Sequence, residues 1–170
     1  HTYGASVFAE DSNPEIYAHD STEEYLSRVI GIIRPIISTR SNRMFGNSLP
    51  KSEVENNGIG PFLEIGRDGR QPGLLYPTKT FKDKLEFVVG GIKVELFHAP
   101  GETNDQLFVW LPDKKALFPG DNFYKTFPNL YTIRGTPYRD LAGWVNSIDM
   151  MRYLEPEYLI PSHTRPLQGK

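Results

Sequence analysis

Three side chains in this sequence each follow a short apolar run that ends in proline. Residues 94–99 (VELFHA) lead into Pro100-Gly101 and then Glu102. Residues 116–118 (ALF) lead into Pro119-Gly120 and then Asp121, 19 positions further on. Leu159-Ile160 leads into Pro161-Ser162 and then His163. A strand, a turn at Pro112-Asp113-Lys114-Lys115 and a return strand would bring the first two to one edge of a sheet. Carboxylates gathered at one edge repel each other unless a cation sits between them. Two carboxylates and an imidazole make a donor set that suits zinc, iron or manganese. The same residues also read as ordinary solvated turns, because Pro-Gly-Glu and Pro-Gly-Asp are common turn sequences. Arg134 lies 13 positions past Asp121. Its guanidinium has the flat, forked shape that pairs with a sulfate or phosphate oxyanion.

The rest of the chain must position these groups. Its 170 residues suffice for one domain with a real core. Apolar residues make up 38% and charged residues 24%, an ordinary globular balance. The mean hydropathy of -0.45 and the lack of a long apolar run argue against a membrane-spanning helix. A net charge of -2 gives no general basic surface for nucleic acid. Without cysteine there are neither disulfides nor thiolate ligands. The first residue is His, so the reading expects a processed or excised chain.

The pattern predicts a short helix over residues 5–11, a strand at 15–18, and a helix opening at Ser21-Thr22-Glu23-Glu24. Apolar residues recur there at helical spacing from Tyr25 to Ile33. Pro35 is expected to kink this helix near Gly31, with a second section from Ile36 to Phe45. Residues 47–72 read as a long surface loop. Strands follow at 73–81, 84–89 and 92–99, the last two joined by Gly90-Gly91. Residues 123–131 are irregular and aromatic. A helix is expected from Thr136-Pro137 to Leu154, with Thr as cap and Pro at its first position, and a last strand at 158–160. This order suggests a mixed sheet sandwich with helices outside.

Read by its motifs, the chain resembles the metallo-β-lactamase-fold hydrolases, and more closely their alkylsulfatase branch. Pro100-Gly101-Glu102-Thr103 stands where the superfamily commonly has Pro-Gly-His-Thr, and glutamate there is a mark of the alkylsulfatases. Gly120-Asp121 matches the bridging Gly-Asp motif of the superfamily at large, whereas alkylsulfatases tend to have Glu-Asn. Residues 129–135 (NLYTIRG) resemble the sulfate-gripping segment, and Ser162-His163-Thr164 the last histidine motif. The superfamily's first motif, His-x-His-x-Asp-His, is represented at most by His1, whose following Gly-containing turn and helix fit that context; a chance terminal histidine is the other reading.

The resemblance implies an α+β fold, a metallo-β-lactamase-like αββα sandwich that is N-terminally truncated, with residues 1–170 forming a single partial catalytic domain. It implies a binuclear zinc hydrolase that cleaves small-molecule alkyl sulfate esters with a metal-activated water. His1, Glu102, Asp121 and His163 would be the ligands to two Zn2+ ions, Asp121 as the bridging and catalytic carboxylate. Asn129, Thr132 and Arg134 would hold the sulfate. Lys125, Arg139 and Arg165 read equally as the rim of a polar mouth and as solvated charges. His19 and His98 are expected to be structural. Trp110, Trp144 and the Phe-rich run read as core, although Phe123, Tyr124 and Phe127 are candidates for a hydrophobic substrate channel. The isolated segment is expected to be inactive, or to need a complementary N-terminal segment or a homodimer partner. Two alternatives stand beside this reading: a lactone, thioester or phosphoester hydrolase of the same fold, and a metal-poor structural remnant.

Overall fold

The structure is a computed structural model that describes residues 4–54 and 73–169. Its centre is a six-stranded sheet in the order β3 (Lys84–Val89), β4 (Ile92–His98), β5 (Leu107–Leu111), β6 (Ala116–Phe118), β7 (Tyr158–Leu159), β8 (Leu167–Gln168). The pairs are antiparallel except β6 with β7, which run parallel. Gly90 and Gly91 join β3 to β4 with φ of 56° and 77°, the left-handed pair that a two-residue hairpin needs. A second, two-stranded parallel sheet pairs β1 (Tyr17–His19) with β2 (Lys79–Phe81).

The alternation along the strands decides what covers each face. Phe81 of β2 is buried with Val94 and Leu96 of β4, and Tyr17 stacks on Phe87 with ring centroids 4.7 Å apart. The small sheet therefore covers one face of the large one. On another cluster Phe108, Trp110 and Leu117 are buried with Met151 of α3 (Leu141–Tyr153). The helix buries Trp144, Ser147 and Met151, a stripe at helical spacing. Two sheets face to face, with a helix outside, agree with the expected sandwich class.

Several expectations need correction. The last long helix starts at Leu141, not at Thr136-Pro137, because Asp140 caps it: one carboxylate oxygen accepts the N–H groups of Ala142 and Gly143, each at 3.1 Å. The 5–11 helix is a single 3-10 turn, Ala5–Phe8, and the strand at 73–81 is confined to Lys79–Phe81. The helix after Ser21 breaks as foreseen, but as a π-helical turn over Arg28–Ile32 between α1 (Thr22–Ser27) and α2 (Arg34–Met44), with Pro35 in the first turn of α2. Neither α1 nor α2 buries a residue. The expected loop 47–72 includes a 3-10 turn at Lys51–Glu53; its residues 55–72 lie outside the described residues, as does His1. The two-residue strand β8 carried no readable pattern. Among the described residues no helix is long and apolar enough to cross a membrane.

Candidate active site

Strand direction brings the three candidate ligands to one edge. β4 and β6 are both antiparallel to β5, so their C-terminal ends share an edge, and β7, parallel to β6, ends there too. Glu102, Asp121 and His163 follow those three ends. His163 Nε2 lies 3.5 Å from Asp121 Oδ1. The Asp121 side chain is 11% exposed, while that of His163 is 48% exposed.

The turns that carry the two acids are bolted together. Asn122 is buried, and its side-chain oxygen accepts the backbone N–H of Glu102 at 3.1 Å. The same side chain donates to Ala99 O at 2.7 Å. Helix α3 braces both turns: Trp144 Nε1 donates to Asn122 O at 3.1 Å, and Ser147 Oγ donates to Pro100 O at 2.7 Å. Gly101 is required at this crossing, since a Cβ there would collide with the Asn122 amide.

Glu102 does not point into a closed three-ligand cluster. Its Oε1 is 2.5 Å from an Arg139 guanidinium nitrogen. Arg139 is held in turn: it donates to Asn129 O, its backbone N–H donates to Leu130 O at 3.2 Å, and its guanidinium lies 5.7 Å from the Trp144 ring centroid. Burial pushes the Glu102 carboxyl above its ordinary value, and Asp121 adds to the rise, while Arg139 and His163 oppose it. All three neighbours thus act on the Glu102 charge. Among the described residues no group of three His, Cys, Asp or Glu side chains is assembled so that it could hold a metal ion. The donor types fit a divalent cation, and Asp121 and His163 are adjacent, but Glu102 is engaged by an arginine.

The expected anion segment, residues 129–135, forms the loop that abuts this ion pair. Arg134 is partly buried; burial and the neighbouring Arg139 both push its guanidinium below the ordinary arginine value, and Glu102 counters them. The ion pair itself is made by Arg139. The other two candidates serve the loop itself. Asn129 Oδ1 accepts the Tyr131 N–H at 3.3 Å, and buried Thr132 has its hydroxyl 2.9 Å from that of Thr136. Phe123 and Tyr124 line an apolar pocket of about 210 Å³ together with Leu141, Trp144 and Ile148. Tyr124 also meets the His163 ring edge-on, at 6.4 Å between centroids. Phe127 is 84% exposed and is not part of that pocket.

Sequence reasoning gave Asn122 and Arg139 too little weight. The first had a signal in the Gly-Asp-Asn run, the second only its place one residue before a helix cap. His19 and His98 are structural, as expected: their rings stack at 3.7 Å between β1 and β4, and they reach Ser21 Oγ and Asn104 O.

Residues 1–163 match the metallo-beta-lactamase superfamily. The chain belongs to that superfamily. It is 30% identical over 178 residues to a linear primary-alkylsulfatase of Pseudomonas sp. (strain ATCC 19151), an alignment that takes in 100% of this chain and 33% of the relative. It is 34% identical over 79 residues to a hydroxyacylglutathione hydrolase of Brucella anthropi, covering 46% of this chain and 28% of the relative. Its fold superposes on a double mutant of the sec-alkyl sulfatase PisA1 with a TM-score of 0.78 at 23% identity, over 97% of this chain and 26% of that one. The stereoselective inverting sec-alkylsulfatase Pisa1 from Pseudomonas sp. gives 0.73 at 21% identity, with the same coverage. The chain thus spans about a third of the length of the curated alkylsulfatase, and members of this superfamily are hydrolases.

Proposed function

We propose that this chain is part of a metal-dependent hydrolase of sulfate esters, with Glu102, Asp121 and His163 as metal ligands and Arg134 as the group that receives the sulfate. The observation that carries this reading is the partly buried Arg134, in the loop whose Asn129 carbonyl accepts from the Arg139 guanidinium that pairs with Glu102. Such a loop carries a local excess of positive charge in a partly dehydrated place, which favours a tetrahedral oxyanion over a neutral carbonyl compound. The apolar pocket beside Tyr124 offers a place for an alkyl chain.

Two zinc ions, if bound at this edge, would supply Lewis acidity and lower the pKa of water. Glu102, Asp121, His163 and His1 would be the residues that hold them. The protein's own work is positional. Asn122 holds the two acidic turns at fixed separation, the Asn129 and Thr132 side chains shape the loop, and Arg134 orients the anionic end of the substrate. A thioester hydrolase is the second reading, favoured by the likeness to a hydroxyacylglutathione hydrolase.

The test compares sulfate release from dodecyl sulfate with cleavage of a glutathione thioester by the full-length encoded protein. Arg134→Ala is expected to lower kcat/KM for dodecyl sulfate by about a hundredfold, the scale of a lost charged anchor. An unchanged value for Arg134→Ala, or thioester cleavage alone in the native protein, overturns the sulfatase reading.

A further inference from the structure

Helix α2 carries Arg34, Arg40 and Arg43 and no acidic residue. In a chain of net charge -2 that is a local excess of positive charge. The fold sets one of these arginines against the loop 129–135. Gly135 closes a tight turn there by donating its N–H to Thr132 O at 2.9 Å, so Ile133 and Arg134 are the central residues of that turn. Gly135 has a φ of 96°, and a Cβ on it would collide with an Arg40 guanidinium nitrogen. The Arg40 guanidinium therefore lies on the backbone of the residue next to Arg134. No ion pair among the described residues uses either arginine. The helical segment that delivers Arg40 also touches the other side of the site: Asn104 Nδ2, in the turn after Glu102, donates to the Tyr25 hydroxyl of α1 at 3.3 Å.

We propose that Arg40 is a second anion-binding residue of this site, set by α2 against Gly135 so that it and Arg134 together grip the sulfate group of the substrate. The inference rests on the reading of Arg134 as the group that receives the sulfate. The carboxylate of Glu102 is taken by Arg139, so the turn that Arg40 and Arg134 share has positive charge left over for an anion. A sulfate ester presents three outer oxygens, and one guanidinium fork fills only two of them. A second fork, brought from a different element, satisfies the remainder and fixes the orientation of the group. The glycine at 135 is required twice, by its left-handed backbone and by the guanidinium that occupies the place of a side chain. Arg34 and Arg43 have no such seat on the loop among the contacts described, and they serve as the comparison for bulk helix charge.

The experiment uses the full-length encoded protein and two probes, dodecyl sulfate as substrate and inorganic sulfate as inhibitor. Arg40→Met keeps the apolar stem and removes the charge. It is expected to lower kcat/KM for dodecyl sulfate about tenfold and to weaken inhibition by sulfate about tenfold, between the effect of an exposed ion pair and that of a buried charged anchor. Arg43→Met, on the same helix, is expected to change both by less than about twofold. A third measurement needs no variant to fold: phenylglyoxal modification of the native protein, mapped by peptide mass. Sulfate is expected to slow modification of Arg40 and to leave that of Arg152, 78% exposed on α3, unchanged. An unchanged kcat/KM or unchanged sulfate inhibition in folded Arg40→Met, an equal effect from Arg43→Met, or an Arg40 that sulfate does not shield overturns the proposal. Arg134→Ala separates the two layers. If it leaves sulfate inhibition and turnover intact, the sulfate site itself fails; if it weakens both while Arg40→Met changes neither, only the role of Arg40 fails.

Discussion

The side chain of Asn122 spans the two acidic turns, accepting from Glu102 N at 3.1 Å and donating to Ala99 O at 2.7 Å. Both partners are backbone groups in a region closed by Ala99 and Gly101, so water replaces neither bond easily. Asn122→Ala is expected to lower the unfolding free energy by about 2–4 kcal/mol, the penalty of stranding one donor and one acceptor. Urea denaturation checks the figure. Loss of less than about 0.5 kcal/mol would show that the turns hold together without this amide.

Gly101 and Asn122 are coupled by contact. A methyl group at position 101 would overlap the Asn122 amide, which cannot retreat without giving up both bonds. Gly101→Ala alone is expected to cost about 1–3 kcal/mol through overpacking. In the Asn122→Ala background the obstruction is gone, so the double variant should cost less than the sum of the singles. A double-mutant cycle with an interaction energy of about zero would contradict this crossing.

These two residues show where sequence reading reached and where it stopped. The sheet edge was legible because β4, β5 and β6 are short apolar runs closed by proline-bearing turns. Glu102 and Asp121 could therefore be placed together from spacing alone. The fastening could not be read, since Asn122 acts through backbone groups of a turn 20 positions away. Arg139 was harder still, because its partner Glu102 lies 37 positions back and only tertiary folding joins them. The start of α3 was misread for a local reason. Thr136-Pro137 has a good opening signature, but the chain there still follows the loop 129–135, with Gly135 bonded back to Thr132 O, and Asp140 offers the stronger cap. The π-turn in the first helix and the two-residue β8 carry too few residues for any periodicity to show.

Asp140 fixes where the bracing helix begins, and so it sets the height of Trp144 against Asn122. Its carboxylate takes two of the otherwise orphaned N–H groups of α3. Asp140→Ala is expected to cost about 1 kcal/mol, and Asp140→Asn much less, because the amide oxygen keeps the acceptor. Thermal unfolding of the three proteins checks the order. Equal losses for Ala and Asn would point to charge near the adjacent Arg139 rather than to capping.

The stacked pair His19 and His98 gives the fold a pH dependence. Burial pushes the His19 imidazole below its ordinary value near 6.5; the His98 ring adds to this, while Asp20, Asp105 and a backbone contact at Lys82 oppose it. The unfolded chain therefore binds a proton here more readily than the folded one does. The stability that goes with neutral His19 is fully present above pH 6.5 and is lost as pH falls through the depressed folded value. His19→Asn keeps an acceptor near Ser21 Oγ and removes the titration, so its denaturation midpoint should fall less steeply than the native one as pH is taken from 7 toward 5. Parallel pH profiles for the two proteins would show that the acid sensitivity of the fold arises elsewhere.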